Sequence, residues 1–306
     1  MTLKQITAFS ILAFTLQCEA QNLFSKQGMF ANYEPVVTQK LQKILPTNTV
    51  GEYPILTIGD DWQYLLSKVS YSTGNSVPLG RLIAFVASDK KHVATLDMTA
   101  NLQEGGGSDW TDEPCKQDDF LWKRSAGGHF SNANCASINH VVNYFVNPTG
   151  EFQQLSVLIR DQGISPPPTI LRVTFTRYSS AGRRLVYMVE INPDNYGIAR
   201  GMATQWGGSE WHKAFIQRDP AKVEFVARLS KWAEAVQDRM DNAFLKKADS
   251  FAGLASLDIY LKAEKLKVPE QKSVEQQLMD MKSLFKNELL TESQYNEQVK
   301  SILNKQ

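Results

Sequence analysis

The chain has 306 residues, with 33 Lys plus Arg against 32 Asp plus Glu and a formal net charge of +1. That balance removes any bulk electrostatic reason to expect nucleic acid or an acidic membrane surface as a partner. A hydrophobic content of 42% over this length suffices for one sizeable core or two small ones.

At the N-terminus, Lys4 precedes an apolar stretch over residues 6–16, which gives way to Cys18-Glu19-Ala20 with small residues two apart, as signal-peptide cleavage prefers. The reading is a signal peptide over 1–20, Gln21 as the mature N-terminus, and export to the periplasm. Removing Lys4 and Glu19 leaves the net charge at +1. The apolar stretch covers 11 residues, well short of the ~20 that a membrane-spanning helix needs. An alternative keeps Cys18 as the lipid-modified first residue of a bacterial lipoprotein, although Gln17 stands where such sites carry Gly or Ala.

Residues 21–250 read as the exported domain. Val37, Leu41, Ile44 and Leu45 predict a helix over 34–45 that Pro46 ends, and a short helix over 62–69 follows, capped by Asp60 or Asp61. Residues 79–87 and 92–98 flank the polar turn Ser88-Asp89-Lys90-Lys91 and read as a hairpin. A strand over 152–160 is expected after the turn signal Asn147-Pro148-Thr149-Gly150. Leu171, Val173 and Phe175, then Leu185, Tyr187, Val189 and Ile191, alternate with polar residues about a turn at Ser179-Ser180-Ala181-Gly182. Such alternation belongs to antiparallel strands with one face buried. Asp219-Pro220 opens a long helix at about 219–247, Asp as N-cap and Pro at the first helical position. Its stripe of Val226, Leu229, Ala233, Val236 and Met240 covers the sheet. The fold class is α+β, an antiparallel sheet covered by amphipathic helices.

All six tryptophans lie before residue 233. Beyond them the chain becomes a charged helical tail, a linker over 251–272 and then a last segment. That segment, VEQQLMDMKSLFKNELLTESQYNEQVKSIL at 274–303, carries Leu278, Met281 and Leu284 at helical spacing. Thr291 caps a second helix with Gln294 reaching back as the other half of a capping box, and Leu290 and Tyr295 occupy the positions of a hydrophobic staple. With Leu289-Leu290-Thr291-Glu292, Tyr295 and Ile302-Leu303, the segment resembles the bacterial short C-terminal domain SHOCT, a helical hairpin, here spanning 273–306. The pattern departs from that family at Glu288, where glycine is usual, and at Val299, where lysine is usual. The resemblance implies a bacterial source and an oligomerising or docking role.

Export favours a disulfide between Cys115 and Cys135. The rival is a zinc site of Cys115, His129, Cys135 and His140, but the closely spaced cysteine pair of a zinc ribbon or finger is absent. Gly105-Gly106-Gly107-Ser108-Asp109-Trp110-Thr111-Asp112-Glu113 sets glycines beside carboxylates, without the alternate acidic spacing of a calcium loop. No metal and no cofactor are expected. Gly207-Gly208-Ser209-Glu210-Trp211 superficially resembles a serine elbow, but Trp211 stands where the second glycine belongs, so Ser209 and His212 have little support as catalytic partners. Arg200, Trp206, Glu210, Trp211 and His212 form a candidate binding lip, and Arg183-Arg184 reads as a solvated hairpin tip. Together these readings describe an exported bacterial protein of non-catalytic binding or scaffolding type, whose tail associates with itself or a protein partner. The alternative is a secreted or periplasmic hydrolase with an unrecognised active site.

Overall fold

The computed structural model describes residues 21–262 apart from 28–31, 36–41, 57–62, 72–76, 104–112, 127–131, 144–147, 149–150, 202–204 and the single positions 46, 90, 166, 200 and 248; beyond 262 it describes Lys282, Tyr295, Asn296, Val299 and Lys300. The expected signal peptide, Cys18 and the centre of the C-terminal hairpin therefore lie outside the described residues. The chain divides into two compact units, Met1–Leu261 and Lys262–Gln306. In the second, Lys282, Tyr295, Asn296, Val299 and Lys300 are helical. Among the described residues no helix is long and apolar enough to cross a membrane.

The first unit starts with short strands: β1 (Gln21–Asn22), β2 (Phe24–Gln27), β3 (Asn32–Pro35), β4 (Gln42–Lys43), β5 (Asn48–Val50) and β6 (Tyr53–Pro54). β1 lies parallel to β5, β5 turns back antiparallel into β6, and β2 pairs with β3. The longer strands are β7 (Gln63–Tyr71), β8 (Pro78–Ser88), β9 (Lys91–Asn101), β10 (Trp122–Ser125), β11 (Asn134–Val142), β12 (Thr169–Tyr178) and β13 (Arg184–Ile191). With β4 they build one eight-stranded sheet in the order β10-β11-β12-β13-β9-β8-β7-β4, antiparallel at every pairing.

Both expected hairpins are present, β8 with β9 and β12 with β13, the latter registering Phe175 opposite Tyr187 and Val173 opposite Val189. Asp89 turns the first with φ of +50°, a left-handed conformation that Asp tolerates better than most residues. Alternation sorts the two faces. Leu82, Ala84, Leu96, Met98, Ile138, Val173, Phe175, Tyr187 and Val189 point into the main core. Thr95, Asp97 and Glu190 sit on the other face, where Arg81 clamps Asp97 with bonds of 2.9 and 2.6 Å and Arg172 holds Glu190 at 2.8 and 2.6 Å.

Helix α1 (Glu151–Asp161) occupies the place of the strand expected at 152–160. Leu155 and Ile159, four apart, pack together on Ile83 and Phe85, a helical spacing that the apolar run also allows to be read as alternation. Its end carries a Schellman pair: Gly163, at φ of +70°, donates to Arg160 O and Ile164 donates to Ile159 O. The helices expected at 34–45 and 62–69 are corrected too, because their described residues belong to β3, β4 and β7 or, at Ile44 and Leu45, to irregular backbone. Pairing of β7 along β8 outweighs a local pattern that fits either state. Strand β11, unforeseen in the sequence, lies between β10 and β12.

The long helix is α2 (Pro220–Phe244), with Asp219 accepting the N–H groups of Ala221 and Lys222 and Pro220 at its first position. Its stripe covers the main core, with Trp232 edge-on to Phe175 at 5.7 Å. It stops short of the expected residue 247 because Lys246 takes φ of +62° and donates to Ala243 O while Lys247 donates to Asn242 O. Lys246 is secured there by an ion pair with Glu52. The short helix α3 (Leu257–Leu261) buries Leu257 and Leu261 in the same core, so residues 251–261, expected in a linker, close the first unit.

Candidate functional site

Between β13 and α2 the chain runs through tight turns at Trp206–Gly208 and Ile216–Arg218. Trp211 anchors this segment. It is 0% exposed and packs on Phe225 of α2, a core residue and not part of a lip, which corrects its place in the expected set. Ser209 Oγ accepts the Trp211 N–H at 3.2 Å, and His212 Nδ1 accepts the Ala214 N–H at 3.2 Å. These bonds tie the Ser209 hydroxyl and the His212 ring to the turn backbone.

Two groups of side chains gather on this frame. In the first, His140 arrives from β11 and stacks on Trp206 at 5.0 Å, while His212 stands edge-on to Trp206 at 4.5 Å and lies 6.0 Å from His140. His140 Nε2 lies 3.1 Å from the Trp206 carbonyl. A carbonyl only accepts, so Nε2 carries the proton and Nδ1 is a bare acceptor, buried without a partner among the described residues. Burial lowers the His140 pKa; the Trp206 carbonyl and Asp119 oppose that, and His212 reinforces it. The Lys213 ammonium bonds Asp118 O at 2.8 Å, joining the segment after the Cys115 bridge to these turns.

The second group surrounds Lys222. Its side chain is only 3% exposed, yet its ammonium meets Glu210 at 2.7 Å and Asp219 at 3.0 Å and lies 5.5 Å from the Trp211 ring centre. Burial by itself would depress the Lys222 pKa; the hydrogen bonds and charges of Glu210 and Asp219 outweigh it and leave the pKa raised. Asp219 shows the complementary result: burial pulls its pKa up, the bonds from Lys222 and Ala221 pull it down further, and it ends lowered. Beside this triad opens a cleft of about 490 Å³ lined by Gly208, Glu210, Phe215, Arg218, Asp219 and Lys222. Arg218 is exposed, its guanidinium 4.9 Å above the half-buried Phe215 ring.

Of the expected lip, Glu210 lines this cleft, Trp206 and His212 lie in the neighbouring imidazole group, and Arg200 is outside the described residues. Phe215, Arg218 and Lys222 were not foreseen. Asp219-Pro220 signalled a helix start, and the lysine three residues after the cap was the available sign of an ion pair.

Cys115 and Cys135 are bridged, with Cα atoms 5.8 Å apart. His140 lies five residues along β11 from Cys135, about 17 Å away on the opposite face of the sheet. A zinc site joining the two is therefore geometrically closed, and His129 is outside the described residues. Among the described residues no three His, Cys, Asp or Glu side chains converge as metal ligands. The glycine-rich stretch over 105–112 also lies outside the described residues. Comparison with family models, curated proteins and solved structures finds no significant match. What fold and cleft define is a class: an α+β protein with a large antiparallel sheet and a charged cleft at the start of the helix that covers it.

Proposed function

We propose that this is an exported bacterial protein whose first unit binds a ligand without transforming it, and whose C-terminal segment 273–306 forms a SHOCT-like hairpin for self-association or docking to a protein partner. The state of Lys222 carries the reading. A lysine serving as general base or Schiff-base nucleophile works through a depressed pKa, whereas Glu210 and Asp219 keep this one charged against its burial. Its neighbours in the cleft, an exposed guanidinium, an aromatic face and a carboxylate, are groups that recognise and orient. The Cys115–Cys135 bridge is the covalent feature that suits an oxidising compartment, and it agrees with the signal peptide read over 1–20.

Three measurements test this reading. Fractionation of cells expressing the full chain should recover a periplasmic protein starting at Gln21, and Cys18→Ala should mature to the same size. Purified protein should turn over no ester, peptide or glycoside substrate; activity that Lys222→Met abolishes would overturn the non-catalytic assignment. Deleting residues 271–306 should change the assembly state or localisation, and an unchanged protein would remove the docking role.

A further inference from the structure

We infer that the cleft at the start of α2 takes a small zwitterion with an apolar side chain, an amino acid or short peptide. The ligand carboxylate would meet Arg218, its ammonium Glu210, and its side chain the Phe215 ring. This rests on the binding reading above and names the ligand class. The argument comes from which polar atoms of the cleft are already used. Asp219 is engaged at both oxygens: Oδ1 accepts two backbone N–H groups at 3.0 and 3.3 Å, and Oδ2 meets Lys222 at 3.0 Å. Lys222 spends its ammonium on Asp219 and Glu210. Glu210 spends only Oε2 on that contact, at 2.7 Å, and its side chain is 58% exposed, so Oε1 is left as an acceptor with no partner among the described residues. Arg218 has no carboxylate or hydrogen-bond partner for its guanidinium among the described residues; its one contact is the Phe215 ring.

The cleft thus presents one available anion and one available cation beside an aromatic ring. A ligand of a single charge would satisfy one of them and meet the other as a like charge. A zwitterion satisfies both, the carboxylate in the fork of the guanidinium and the ammonium on the carboxylate oxygen. The start of a 25-residue helix adds positive potential on the side where the ligand carboxylate would sit. A volume of about 490 Å³ accommodates a dipeptide.

The test is an NMR titration of the full mature chain with L-alanyl-L-phenylalanine, its N-acetyl form and its C-terminal amide. The free dipeptide should bind, and each blocked form should bind about ten- to a hundredfold more weakly, the loss for one charge-assisted hydrogen bond. Arg218→Gln should weaken the free dipeptide to about the affinity of the amide and leave the amide itself unchanged, because it removes the group the amide already fails to engage. Glu210→Gln should do the same for the acetylated form. Equal binding of all three forms, absence of binding, or an unchanged affinity in Arg218→Gln would overturn the zwitterion assignment. Free alanine and phenylalanine accumulating in the same spectra would instead sink the non-catalytic reading, so the two failures are told apart.

Discussion

Replacing Cys115 and Cys135 together by alanine should lower the unfolding free energy by about 3 kcal/mol, because the bridge closes a loop with a sequence separation of 20. In the chain-entropy account the cost of that loop falls on the unfolded state, and it grows only with the logarithm of loop length, so the magnitude is insensitive to where the loop's ends are drawn. The native side contributes little strain relief, since Cys115 already packs against the cluster of Leu79, Ala133, Tyr178 and Val186 and the Cα atoms are 5.8 Å apart. A domain of this size loses about 2–4 °C of Tm per kcal/mol, so the expected drop is about 6–12 °C. Thermal melts followed by circular dichroism would compare oxidised wild type, wild type in reductant and the double variant. The two thiol-free or reduced samples should agree with each other and fall below the oxidised protein. If all three melt within about 2 °C, the bridge does not constrain the unfolded chain as argued. Intact-mass spectrometry showing two free thiols in unreduced protein would remove the bridge itself.

Other perturbations probe the core, a buried imidazole and the helix start. A methyl added at Gly80 would sit 2.5 Å from Leu102 Cδ2, 2.9 Å from Val50 Cγ1 and 3.1 Å from Phe24 Cε2, so Gly80→Ala should cost about 1–3 kcal/mol in urea unfolding. A stabilised variant would show that β5 and β2 do not press on β8 there. Burial drops the His92 pKa from 6.5 to about 4, so between those values the unfolded chain holds a proton that the folded chain rejects. The contribution is complete above pH 6.5 and disappears as the pH falls to 4, amounting to roughly 3 kcal/mol. Melting wild type and His92→Asn from pH 7.5 to 4 should give a flatter profile for the variant; parallel profiles would refute the assignment. Asp219→Ala should cost about 1–2 kcal/mol by uncapping α2, whereas Asp219→Asn keeps the acceptor and should cost less. Equal losses in chemical denaturation would show that the cap is not the source.

How much was legible in advance depended on whether an element's identity was carried by local pattern. The pair around Asp89 was readable from apolar runs flanking a polar turn, and the pair around Ser179-Gly182 because period-two alternation and turn residues agreed. Residues 152–160 were misread for a reason visible in the fold: Leu155, Val157 and Ile159 alternate, but α1 exposes Val157 to 49% and buries Leu155 and Ile159. Gly163 was the overlooked stop signal. Residues 63–71 form a strand because β8 pairs along its length, with one register shift between Tyr64 and Leu66, which no local propensity reveals.

The sequence by itself determined the elements whose signals lie within a turn or two of chain, both hairpins and the Asp219-Pro220 start of α2 with its apolar stripe, together with a pairing of the two cysteines that follow residue 20. Only the tertiary structure decided which aromatic was core and which was surface. Trp206 and Trp211 are five residues apart in equally polar surroundings, yet Trp211 is the one that α2 covers. It also decided that His140, from a strand 66 residues earlier, stacks on Trp206, and that Arg218 and Glu210 face one cleft with their charges available. The physical reason is the same in each case. Burial and charge pairing depend on what the rest of the chain brings alongside a residue, and that is set by sheet register and helix packing at separations no sequence window spans.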